Sequence, residues 1–127
     1  MFSFSKIERL SSKKAIEELF LNGKSKTQNP IKLIYKLSEF ESPFPARVVF
    51  VVPKKKHHRA NKRNKLKRRM KEVYRLHKNQ FYKSLLGLKY DLMFLYISSD
   101  ENSYNVIEDK MKQLMKQIEL ISIHKTV

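Results

Sequence analysis

The sequence predicts an α/β (α+β) fold whose helices and strands follow the order α-β-β-β-α-β-α. Three segments carry apolar residues at helical spacing, and the stretches between them alternate or run apolar at strand length. The two longest apolar runs, RVVFVV at 47–52 and LMFLYI at 92–97, flank a basic helical segment, which suggests a parallel strand–helix–strand crossover.

Each element has its own signal. Ser11 and Ser12 can cap a first helix over about 12–22, with Ile16, Leu19 and Phe20 at helical spacing and Asn22-Gly23 as a left-handed stop. Residues 24–28 are polar and read as a brief edge strand. Residues 31–37 alternate, with Ile31, Leu33, Tyr35 and Leu37 on one face and Lys32, Ile34 and Lys36 on the other, so they read as a half-buried strand. SEFESPFP at 38–45 holds two prolines and no helical period and reads as a connection.

The runs at 47–52 and 92–97 read as central strands, buried on both faces. Between them, Leu66, Met70, Val73, His77 and Phe81 step by three or four, giving one long helix over about 61–83. After a Ser103 cap, Tyr104, Ile107, Met111, Leu114, Ile118 and Ile121 mark a last amphipathic helix. Its seam of little more than two heptads favours packing on the sheet over a dimeric coiled coil.

A chain of 127 residues with 41% hydrophobic content is expected to form one domain over 1–127. The formal charge of +16 points to a polyanionic partner, RNA or DNA, ahead of an anionic membrane. With no cysteine there are no disulfides, thiolate nucleophiles or zinc knuckles. The N-terminus shows no secretory pattern and no run spans a bilayer, so the expected location is cytoplasmic.

Thirteen of the 28 lysines and arginines lie in the 25 residues 54–78, with Glu72 the single acid among them. If Leu66 marks the buried direction, 100° per residue places Asn64, Arg68, Lys71 and Arg75 within about 40° of the opposite pole. They form an outward row of roughly 16 Å. Lys65, Lys67 and Lys78 flank it, and Arg69 falls nearer the apolar stripe. A solvated helix face would interleave acids at spacings of four, whereas stacked like charges are destabilising without a ligand.

RNKLKRRMKEVYR, residues 63–75, resembles the signature helix of the bacterial ribonuclease P protein component. The Leu-Ser-Ser cap and short helix at 10–23, RVVFVVPKK at 47–55 and the order of the remaining elements extend the resemblance over nearly the whole chain. It implies a two-layer sandwich, a four-stranded mixed sheet with three helices, whose β-α-β crossover is left-handed, against the usual preference. It also implies a protein subunit that binds a catalytic RNA and the 5′ leader of precursor tRNA. The RNA would carry the hydrolysis, with Mg²⁺ held mainly by that RNA, and no obligate protein partner is evident.

Carried over by position, Arg63, Asn64, Lys65, Arg68 and Lys71 match the motif that faces the RNA subunit, and Lys54 and Lys55 match strand-end lysines. Arg59, Lys67 and Arg75 complete the expected RNA-binding set. Asn64 is the one candidate for a place beside RNA-bound Mg²⁺. Phe20 and Tyr35 match aromatic positions of a leader cleft, and Ile16 stands where some relatives place another aromatic. Phe20, beside Leu19, suits core packing and base stacking equally.

Two departures bear on the RNA face. Lys65 replaces the usual arginine and loses its planar fork. The loop 56–62 lacks the usual glycine. The 12 carboxylates form no nuclease pattern, and with only Gly23 and Gly87 there is no phosphate loop. An autonomous enzyme is not expected; the alternative to a ribonuclease P subunit is a ribosomal-protein-like RNA-binding module without associated nuclease activity.

Overall fold

In a computed structural model, which describes residues 6–126, the chain forms a 3-10 turn (Lys6–Glu8) followed by seven elements. They are α1 (Lys13–Asn22), β1 (Lys24–Gln28), β2 (Ile31–Leu37), β3 (Ala46–Val51), α2 (Ala60–Lys83), β4 (Tyr90–Tyr96) and α3 (Tyr104–Thr126), the expected order. The strands make one sheet in the order β1-β2-β4-β3. β1–β2 and β2–β4 are antiparallel and β3–β4 is parallel, so α2 is the crossover.

Strand alternation sends side chains to two separate cores. Leu33, Val48, Phe50, Leu92 and Phe94 face α2 and α3, joining Leu66, Met70, Val73, Met111 and Leu114 in the main cluster. Ile34 and Met93 face the other way and pack with Leu10 and Leu19, bordered by Ile16, Val49, Val51 and Leu95. The sandwich therefore has a partial third layer, α1, which leaves part of its sheet face open. α3 buries its apolar seam within the chain, against α2 and the sheet.

Three local expectations are corrected. β3 is an edge strand rather than a central one. The N-terminal segment runs along its outer side, where Leu10 N–H donates to Val48 C=O at 2.9 Å and Arg9 bridges to Val48, so a continuous apolar run is sheltered without a neighbouring strand. β2 is buried on both faces at its centre, because α1 covers Ile34.

Gly23 is not a left-handed stop. Its backbone is extended (φ −73°, ψ 155°), and it is required for close approach: a Cβ there would lie 2.5 Å from the Leu19 carbonyl oxygen and 2.8 Å from Ile34 Cγ2. The other end of α1 is as expected, with Ser12 Oγ accepting from Ala15 N–H at 3.2 Å.

Candidate nucleic-acid interface

α2 starts against its own electrostatics. Its N-cap, Arg59, makes no side-chain cap bond and its first turn contains no acid, yet Lys62, Arg63 and Lys65 crowd the positive end of the helix dipole. An anion at this end would relieve both the dipole and the repulsion between like charges. Asn64, Arg68 and Lys71 are exposed, as their helical phase requires, with Lys67 half-buried beside them. Lys54, Lys55 and Arg59 are exposed on the approach to the helix.

Other cations of the window are engaged within the protein. Arg63 donates to the carbonyls of His57 and His58 at 2.9 and 2.7 Å, fixing the loop before α2. That loop is also held to the end of β4, where His57 Nε2 lies 2.8 Å from the Ser98 carbonyl. Lys65 pairs with Glu101 at 3.1 Å, which Arg69 shares at 3.5 Å, and Arg75 grips Glu72 with two bonds of 3.0 and 2.6 Å. The hydrogen bond from Lys65 holds the Glu101 carboxyl below its ordinary range, and that from Arg75 does the same for Glu72.

The free part of the outward row is thus Asn64, Arg68 and Lys71, with Lys67 beside it, while Arg75 reaches solvent already neutralised. Desolvation, followed by the charges of Arg9 and Lys67, lowers the Lys71 ammonium pKa. Arg9 therefore belongs to this basic surface. Sequence inspection missed it because its nearness to α2 depends on the N-terminal segment lying along β3.

Two positions on α2 are corrected. Lys78, expected to flank the row, is buried and ion-paired with Glu8. His77, placed on the apolar stripe, is half-exposed and meets Glu108 at 3.0 Å, while Tyr74 takes the fully buried position.

A second surface lies on the face of the sheet that α1 only partly covers. Ile16, Phe20 and Leu21 of α1, with Val51, Met93 and Leu95 of the sheet, border a largely apolar groove of about 390 Å³, and Glu17 is the one charged residue that lines it. Phe20 is 60% exposed, which resolves its two readings in favour of an accessible ring. Val51 is followed within four residues by Lys54 and Lys55, so ammonium groups stand near one end of the groove. Val51, Met93 and Leu95 were missed as site residues because an apolar run does not reveal which face stays uncovered.

Tyr35 does not join this groove. It is 7% exposed and belongs to the opposite core, opposite Lys24 in the β1–β2 register, while its neighbour Ile34 faces α1. The period of two along a strand sends adjacent residues to opposite faces, so a shift of one position moves a side chain through the sheet.

Among the described residues, no three His, Asp or Glu side chains gather to hold a metal ion. Asn64 offers a neutral carbonyl oxygen among cations, a poor donor set for Mg²⁺, which takes carboxylate, phosphate or water oxygens. The described residues around Asn64 do not fit a resident Mg²⁺. Nor does any helix among those residues have the length and apolarity to cross a membrane.

The family profile described as Ribonuclease P matches residues 4–119. The chain is 33% identical over 130 residues to the ribonuclease P protein component of Chlorobium phaeobacteroides, covering 93% of this chain and 89% of that one. It is 31% identical over 120 residues to the component of Porphyromonas gingivalis, covering 92% and 87%. The fold is similar to that of the ribonuclease P protein from Thermotoga maritima (TM-score 0.71, 24% identity, 87% of this chain and 97% of that one). It is likewise similar to the Staphylococcus aureus protein (TM-score 0.70, 18% identity, 87% and 94%).

Proposed function

The chain belongs to the ribonuclease P protein family, and from that premise we propose that its two surfaces divide the work of a ribonucleoprotein endonuclease. As the protein subunit, it partners the ribonuclease P RNA and takes part in removing the 5′ leader from precursor tRNA. The exposed row Asn64, Arg68 and Lys71, with half-buried Lys67 beside it and with Lys54, Lys55 and Arg59, docks on the catalytic RNA, and the Phe20 groove takes the single-stranded leader.

The roles follow from the chemistry of each surface. Two RNAs repel one another, and cations fixed between them reduce that repulsion while releasing condensed counterions. The helix start amplifies this, since Arg59 supplies no side-chain cap, no acid stands in the first turn and the positive end of the dipole favours an anion. The groove is largely apolar, which suits the faces of unstacked bases, and Phe20 offers a ring on which one can stack. A duplex cannot present its bases in this way, so the groove favours precursor over mature tRNA. The RNA supplies the hydrolytic chemistry with its own Mg²⁺, while the protein binds and positions.

The observation that carries this reading is the start of α2, where cations accumulate at the positive end of a helix with no acid in its first turn. The test is reconstitution at low Mg²⁺ with a cognate ribonuclease P RNA and a precursor tRNA, omitting each component in turn. Leader removal that needs the RNA and is strongly stimulated by the protein supports it. RNA binding without any gain in cleavage would instead make the chain an RNA-binding module, and cleavage by RNA-free protein would make it a nuclease in its own right.

A further inference from the structure

Tyr35 sits in a different groove, at the opposite edge of the sheet from the end of β3. Lys24 lies directly opposite Tyr35 in the β1–β2 register and Lys26 opposite Leu33, so both lysines share the sheet face of Tyr35. The last turns of α3 close the same space with Ile121 and Lys125, and Tyr90 forms part of its floor. The groove measures about 380 Å³, at the small end of ligand clefts, which run to roughly 300–1,000 Å³.

Its chemistry is one-sided. Among the described residues, Lys24, Lys26 and Lys125 make no ion pair and no carboxylate borders the groove. Lys36, also at the rim, is turned toward Glu18 on the α1 side, 3.4 Å away, so it is not counted. The Tyr90 hydroxyl is satisfied by Ser122 at 2.9 Å, but the Tyr35 hydroxyl bonds to no described residue and is not sealed from solvent. Three ammonium groups and one free phenol donor thus converge over an aromatic floor.

We propose that this groove is a second RNA-contact site, taking one phosphate-bearing nucleotide of a single strand. The lysines neutralise the phosphates, and the Tyr35 hydroxyl donates to one phosphate oxygen. α3 lies over β1 and β2 and α2 over β3, so this site and the α2 row occupy opposite sides of the helical layer. They are separated by about 14 Å of sheet, three strand spacings. The protein would therefore grip RNA at two places that a single extended phosphate row cannot explain. This proposal rests on the reading above that the ligand is RNA.

The test compares Lys24→Ala/Lys26→Ala/Lys125→Ala and Tyr35→Phe with the unaltered protein in two assays. One measures binding to the isolated ribonuclease P RNA; the other measures binding of precursor tRNA to the assembled holoenzyme, so the arm affected identifies the source of the phosphate. In at least one arm, the triple variant is expected to bind about 10- to 100-fold more weakly and to reduce the log–log salt slope by about 2 for three lost contacts. Tyr35→Phe, which keeps the ring in the core, should weaken that arm about 2- to 10-fold.

Unchanged affinity and slope for both variants in both arms, while Arg68→Ala/Lys71→Ala weakens binding, overturns the second site alone. Unchanged binding in all three variants overturns the α2 assignment as well.

Discussion

Lys78 Nζ lies 2.7 Å from both carboxylate oxygens of Glu8, 70 residues away in the chain, with both side chains almost wholly buried. Tyr82 donates its hydroxyl to the same carboxylate at 2.7 Å and accepts one from Tyr74 at 2.9 Å. This network holds the N-terminal segment against α2, and that segment covers the β3 edge and brings Arg9 near Lys71.

Removing one charge of such a pair leaves the other buried without a partner, a loss of about 3–5 kcal/mol. Lys78→Met should therefore lower the urea midpoint sharply. Glu8→Gln/Lys78→Met, which keeps an acceptor for Tyr82, should recover most of the loss. Equal destabilisation of single and double variants would contradict the role given to the pair.

Gly23→Ala should destabilise by about 1–3 kcal/mol, because the added methyl meets the Leu19 backbone and Ile34 and must push α1 from the sheet. The same displacement distorts the Phe20 groove. Precursor affinity should fall further than mature tRNA affinity, as measured by equilibrium binding to the holoenzyme.

Lys71 has its pKa lowered by desolvation, then by Arg9 and Lys67, so more of it is neutral at a given pH than of an ordinary lysine. Mass-spectrometric amine labelling at mildly alkaline pH should find it among the fast-reacting lysines of the free protein. Binding the RNA subunit should suppress that reaction, since a phosphate favours the charged form. Equal labelling with and without RNA would count against contact there.

Glu101 is held below the ordinary carboxylate range first by its hydrogen bond from Lys65. A depressed carboxyl pKa stabilises the fold above the unfolded value, about 4.3, and that contribution fades as pH falls through the folded value. Carboxyl carbon NMR titration of Lys65→Ala should show Glu101 returning upward. RNA that draws Lys65 away should move it in the same direction.

The element order, the Ser12 cap, the basic row and the parallel crossover were legible because each is written in local spacing. What was not legible depends on three-dimensional packing. Glu8 and Lys78 are ordinary surface residue types, and nothing near either announces a partner 70 positions away. Residues 47–52 are apolar enough for a central strand, but a loop segment rather than a strand shelters the edge.

Tyr35 illustrates a different limit. Alternation along β2 already separated Tyr35 from Ile34, yet matching by aromatic type placed Tyr35 in the leader cleft. The covering helix, not the residue type, decides which face carries the open groove. Phe20 was legible as a candidate but not as exposed, since helical spacing put it beside Leu19 without showing how far α1 reaches over the sheet.

The division of labour between the two surfaces is tested most directly by the ratio of precursor to mature tRNA affinity in the assembled holoenzyme. Phe20→Ala should weaken precursor binding by about 1–3 kcal/mol per stacked base, roughly 5- to 150-fold, and leave mature tRNA binding unchanged, collapsing the ratio. Arg68→Ala should instead weaken assembly with the RNA subunit and leave the ratio intact once assembly is saturated. A Phe20 variant that keeps the full ratio, or an Arg68 variant that loses it, would contradict the account.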